Sequence, residues 1–112
     1  MSAAAGPAVA VYEAERIPGP DGAVERGATP LAEGVAVLRL QAGNDVVVCG
    51  PVRRANRNKA RELMTAAFGG FEEDMPHEGR MALPHFHPPG HTPAGVHAFY
   101  EAPPRHAKKR KS

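Results

Sequence analysis

The chain has a single cysteine, no tryptophan, and only four phenylalanines and two tyrosines among its 112 residues. One cysteine, Cys49, excludes an internal disulfide and any cysteine-only zinc site. It lies in an apolar run, so a buried, inert thiol is expected. Much of the apolar content is alanine, and with so few aromatics the core must be small. No apolar run approaches the roughly 20 residues of a membrane-spanning helix. The start, Met1-Ser2-Ala3-Ala4-Ala5-Gly6-Pro7, lacks the cationic end and apolar centre of a secretory signal. Synthesis in the cytoplasm and no membrane partner are therefore expected. No internal repeat is visible.

Glycine and proline are plentiful instead, twelve of each, which implies long loops rather than many regular elements. The formal charge is +2 and the pI near 9.0, with the positive charge clustered. Arg53, Arg54, Arg57, Lys59 and Arg61 form one block; Arg105, Lys108, Lys109, Arg110 and Lys111 form another. Such blocks favour nucleic acid or another polyanion as partner. The plainer alternative is a solvated helix face and a disordered tail.

Residues 1–30 read as a weakly ordered leader, in which Val9-Ala10-Val11-Tyr12 can pair as an edge strand and Pro18-Gly19-Pro20-Asp21-Gly22 marks a turn. A hairpin is expected next. Val35-Ala36-Val37-Leu38-Arg39-Leu40 alternates in part, Ala42-Gly43-Asn44-Asp45 supplies turn chemistry, and Val46-Val47-Val48-Cys49 is a β-branched run. Gly50-Pro51 stops it. A helix is expected from Asn56 as N-cap to Phe68, closed by Gly69-Gly70, with Ala60, Leu63, Met64, Ala67 and Phe68 forming its apolar stripe. Glu72-Glu73-Asp74 is an acidic knot, His77 stands alone, and Pro103-Pro104 ends the fold. The expected class is α+β: one domain over residues 31–102, with a small antiparallel sheet of three to five strands, one main helix across it and a His/Pro-rich hairpin. Residues 103–112 form a basic, disordered tail.

The chemistry concentrates between Leu83 and Tyr100, which hold four of the six histidines: His85, His87, His91 and His97. In an extended strand His85 and His87 share a face, since side chains alternate with period two. Pro88-Pro89-Gly90 then reverses the chain, so that Val96-His97-Ala98-Phe99-Tyr100 can return beside it. That brings His97 towards the first pair.

Three readings follow. The first is metal-independent cleavage of an RNA phosphodiester. One group takes the 2′-hydroxyl proton, another protonates the leaving oxygen, and a cation holds the non-bridging oxygens. His87 and His97 would form the acid–base pair, with His85 able to replace either. Arg54, Arg57 or Lys59 would clamp phosphate, and Tyr100 would donate a hydrogen bond or stack on a base. The second is a metal site, with zinc held by His85, His87 and His91, with or without His97. Against it stand the stiff intervening prolines and a single carboxylate adjacent in sequence, Glu101. The third is structural, a turn whose histidines cap backbone groups or face solvent. Two non-catalytic roles stay open beside the enzyme: a histidine-cluster metal-binding or interaction module, and a nucleic-acid-binding protein driven by the basic blocks.

The segment Pro84-His85-Phe86-His87-Pro88, followed by His97, Phe99 and Tyr100, resembles the closing motif of C-terminal nuclease domains in bacterial polymorphic toxins. The resemblance runs from about Val46 to Tyr100, and its motifs are short. It implies a compact α+β ribonuclease, delivered into a target cell and partnered by a dedicated immunity protein.

Overall fold

A computed structural model of the chain describes residues 8–74 and 79–109. In chain order its elements are β1 (Ala10–Arg16), β2 (Val24–Arg26), α1 (Glu33–Gln41), β3 (Val46–Cys49), α2 (Arg53–Phe68), β4 (Glu72–Asp74), β5 (His85–His87), β6 (Ala98–Tyr100) and β7 (Lys108–Lys109), with one 3₁₀ turn at Pro89–His91. The strands form one seven-stranded sheet in the order β4-β5-β6-β3-β1-β2-β7. The α+β class is as expected, but the sheet is larger and mixed. β6 runs parallel to β3, and β7 parallel to β2. A parallel pair needs a crossover, and the stretch containing α2 supplies the one between β3 and β6.

The β-branched run Val46–Cys49 is buried along its whole length at the centre of the sheet. Its alternate side chains build two cores. On one face Val46 and Val48 join Phe86, Ala98 and Tyr100 against Ala60, Leu63 and Met64 of α2 and Ala36 and Leu40 of α1. On the other, Val47 and Cys49 pack with Ala14, Val24, Leu83, Phe99 and Ala107, and among the described residues no helix joins them. The sheet thus has a helix face and a face covered by strand connections.

Three sequence expectations are corrected here. Val35–Leu40 belongs to α1 and is not a strand. Ala36 and Leu40, four residues apart, are fully buried, while Leu38 between them is 65% exposed. A strand would place all three on one side; only the helical period separates them. Residues 10–16 and 24–26, inside the expected leader, are strands, and β1 lies between β3 and β2 rather than at an edge. Part of the expected disordered tail is ordered too. Ala107 is buried and Lys108–Lys109 pair with Glu25 and Arg26.

Helix α2 keeps its expected end, with Gly69 in the left-handed region at φ 81 and its N–H returning to the Thr65 carbonyl at 2.8 Å. It begins four residues earlier than expected, at Arg53 with Val52 in the cap position. Asn56 is therefore no cap. It is fully buried, and its Nδ2 donates to the carbonyls of Gly50 (2.9 Å) and Glu101 (3.0 Å), tying the ends of β3 and β6 to the helix. The residues named at His77, in the leader at Met1–Pro7 and in the tail at Arg110–Ser112 lie outside those described. Among the described residues no helix is long and apolar enough to cross a membrane.

Candidate functional site

Antiparallel pairing of β5 with β6 places His85 opposite Phe99 and Phe86 opposite Ala98. Phe86 points to α2, stacking on Tyr100 with ring centroids 5.5 Å apart. His85 and His87 therefore point the other way, and so does His97, two residues before Phe99. The three imidazoles meet on the helix-free face. Ring centroids are 4.8 Å apart for His85–His87, 5.0 Å for His85–His97 and 4.8 Å for His87–His97. One ligand atom from each lies within 4.8 Å of the others, and the side chains are buried: His85 at 0%, His97 at 3% and His87 at 7% exposure.

The hydrogen bonds orient these rings. His85 Nδ1 lies 3.4 Å from the Leu83 carbonyl oxygen, which directs Nε2 inward, 3.2 Å from His87 Nε2. Asp45 Oδ1 accepts the backbone N–H of His97 at 2.8 Å and sits 3.3 Å from its Nδ1. With the proton on Nδ1 directed at that carboxylate, Nε2 presents its lone pair. A carboxylate behind the far nitrogen of an imidazole is the usual outer-shell partner of a metal-bound histidine. Asp45 ends the turn between α1 and β3, so its backbone is set by the central strand while its carboxylate reaches His97.

His91 does not complete the triad. It sits on the 3₁₀ turn, half exposed, with its ring stacked on that of His87 at 4.3 Å between centroids, and its Nε2 is 3.3 Å from Glu72 Oε1. In the histidine set named from sequence for a metal, His97 takes the third place within the cluster and His91 the rim.

The expected phosphate-binding residues are elsewhere. Arg57 belongs to α2 on the helix face. Its guanidinium carbon is 5.5 Å from the Phe86 ring centroid, and Nη2 donates to Glu73 Oε1 at 2.9 Å. That bond is the main reason the Glu73 carboxyl titrates below its usual range. Lys59 is paired with Glu33 and Glu62, and Arg54 is exposed on the same helix. Tyr100 is 1% exposed in the core beneath α2, and burial raises its hydroxyl above the ordinary value. A buried ring on the helix face cannot stack on a base at the histidine face. The fold thus unites His85, His87 and His97 and separates them from Arg54, Arg57, Lys59 and Tyr100.

Three residues beside the site were not anticipated. In sequence Asp45 is a turn former and Glu72 part of an acidic knot; only long-range pairing brings them to the histidines. Arg39, expected on a strand, projects from α1 and donates from Nη2 to the Asp45 carbonyl at 3.1 Å. An open polar cleft of about 390 Å³ borders this end, lined by Glu13, Glu15, Arg16, Arg39, Asn44 and Asp45 among others.

No family model, no curated protein and no solved structure matches this chain. The likeness to toxin nuclease domains accordingly rests on its short motif alone.

Proposed function

We propose that this domain binds a zinc-class transition-metal ion through the imidazoles of His85, His87 and His97. The observation that carries the reading is the convergence of three buried ring nitrogens, two of them 3.2 Å apart. Tetrahedral zinc with bonds of about 2.0–2.1 Å sets its ligands about 3.3 Å apart. The 3.2 Å His85–His87 contact matches one edge of such a site, and the third imidazole lies within 4.8 Å. A cluster of this kind with Asp45 behind His97 also has an outer shell suited to the task. When bound, the ion would supply Lewis acidity or structural cross-linking; the chain's own residues hold, orient and shield it.

Titration of the protein with zinc chloride, followed by thermal unfolding, tests this. A ligand that binds the folded state alone stabilises it by about 2.7 kcal/mol at a hundred times its Kd. We expect one ion bound per chain and a Tm that keeps rising with the logarithm of free zinc, both abolished by His85→Ala. A Tm indifferent to zinc in the wild type contradicts the reading.

Metal-independent ribonuclease chemistry is the second reading, favoured by the same 3.2 Å contact, across which two imidazoles can share a proton. It needs a cation at the reacting phosphate. The α2 cations face away, and Arg39 donates to the Asp45 carbonyl beside the cluster. RNA cleavage that persists in excess chelator and disappears in the His87→Ala, His97→Ala double variant would favour this reading over the first.

A further inference from the structure

His91 differs from the buried triad in its setting. The triad stands on strands or at a strand's start, whereas His91 ends a one-turn 3₁₀ segment after two prolines and Gly90. Its backbone lies at φ 55, the left-handed region that a Cβ disfavours, and Gly90 precedes it at φ 67. Something must hold that turn. Glu72 does so with both carboxylate oxygens: Oε2 accepts the Gly90 N–H at 2.6 Å, and Oε1 faces His91 Nε2 at 3.3 Å. Glu72 is itself fixed opposite His87 by the β4–β5 register.

The result repeats, at the rim, the pattern seen inside. Asp45 backs His97; Glu72 backs His91. In each pair one carboxylate oxygen faces one ring nitrogen and so leaves the other nitrogen to present a lone pair. For His91 that nitrogen is Nδ1. The ring already lies against that of His87, the most exposed member of the triad, at an interplanar angle of 17°. Three imidazoles leave one position of a four-coordinate ion unfilled.

Resting on the metal reading above, we propose that His91 is the fourth ligand, bound through Nδ1 and oriented by Glu72. On metal binding the ring turns out of its stack on His87. Its Nδ1 lone pair forms the coordinate bond as a metal-bound water leaves, while Nε2–H stays on Glu72. No proton moves at His91. Gly90 and His91 both lie in the left-handed region, and the Glu72 carboxylate anchors the turn at the Gly90 N–H. The site is then a closed four-histidine centre whose outermost ligand comes from a surface turn.

Cobalt(II) chloride serves as the probe, because its visible bands report ligand number and type. The full chain is compared with His91→Ala, Glu72→Gln and His85→Ala, with apo thermal unfolding as the check on folding. We expect His91→Ala, which removes a ligand, to bind cobalt more weakly by at least the roughly 10–100-fold that loss of an outer-shell partner costs. Its bands should shift, and solvent-proton relaxation should reveal a newly coordinated, exchanging water. Glu72→Gln should shift the affinity in the same direction by less, and His85→Ala should abolish binding. His91→Ala with unchanged affinity and spectrum, while His85→Ala abolishes binding, overturns the role of His91 and leaves the triad standing. Failure of the wild type to bind cobalt overturns both.

Discussion

Cys49 shows how much one residue's setting follows from its neighbours in sequence. Preceded by three valines, it is a free, buried thiol as its apolar run implies. Burial is the first cause that pushes it from 9.0 up to about 11; Arg26 pulls the other way, and the Glu101 carboxylate adds to the rise. A thiol that keeps its proton to higher pH in the folded state stabilises the fold fully below about pH 9. That contribution fades as pH climbs towards 11, because the unfolded chain ionises first. Chemical denaturation between pH 9 and 11 should therefore show a steeper loss of stability in the wild type than in Cys49→Ala. Identical slopes would show that the thiol is not held in this way. Asp45 illustrates the opposite case. Nothing in Ala42-Gly43-Asn44-Asp45 beyond turn chemistry announces a partner 52 residues away, yet its carboxylate positions His97.

At the scale of elements, local pattern succeeded where one face is buried and failed where the apolar residues are divided. Helix α2 has a stripe at Ala60, Leu63 and Met64 that matches its packed side, and Gly69 ends it. The first turn was misplaced because the capping residue expected at Asn56 is used for tertiary hydrogen bonds. In α1, Val35 and Val37 carry high β propensity and partial alternation, and tertiary packing overrides both. Ala36 and Leu40 must reach the same core as α2. Two substitutions separate the strand and helix readings. Leu40→Ala should cost about 2–5 kcal/mol, as buried leucines do, and Leu38→Ala less than about 0.5 kcal/mol as an exposed one. Urea unfolding measures both, and equal losses would restore the strand. The histidine hairpin was legible for a simpler reason. Its spacing of two, its prolines and the return at Val96–Tyr100 specify face and reversal together, and β5 pairs with β6 in that sense.

Across the whole molecule, the decisive division is the sheet itself. It carries α2 with Arg54, Arg57 and Lys59 on one side and the three buried imidazoles on the other. Sequence order places the basic block and the histidines in one half of the chain and cannot say that a sheet stands between them. That choice depends on the parallel β3–β6 pairing, a contact between distant segments. It is why the histidine cluster was visible in the sequence while its surroundings were not, and it is the ground on which we propose metal ligation. The most direct measurement is X-ray absorption at the zinc edge of protein loaded with one equivalent of zinc. The account predicts a first shell of nitrogen at about 2.0–2.1 Å with the outer scattering of imidazole rings, and no sulfur at about 2.3 Å. A first shell without imidazole scattering, a sulfur contribution, or zinc that dialyses away from the folded protein would contradict it.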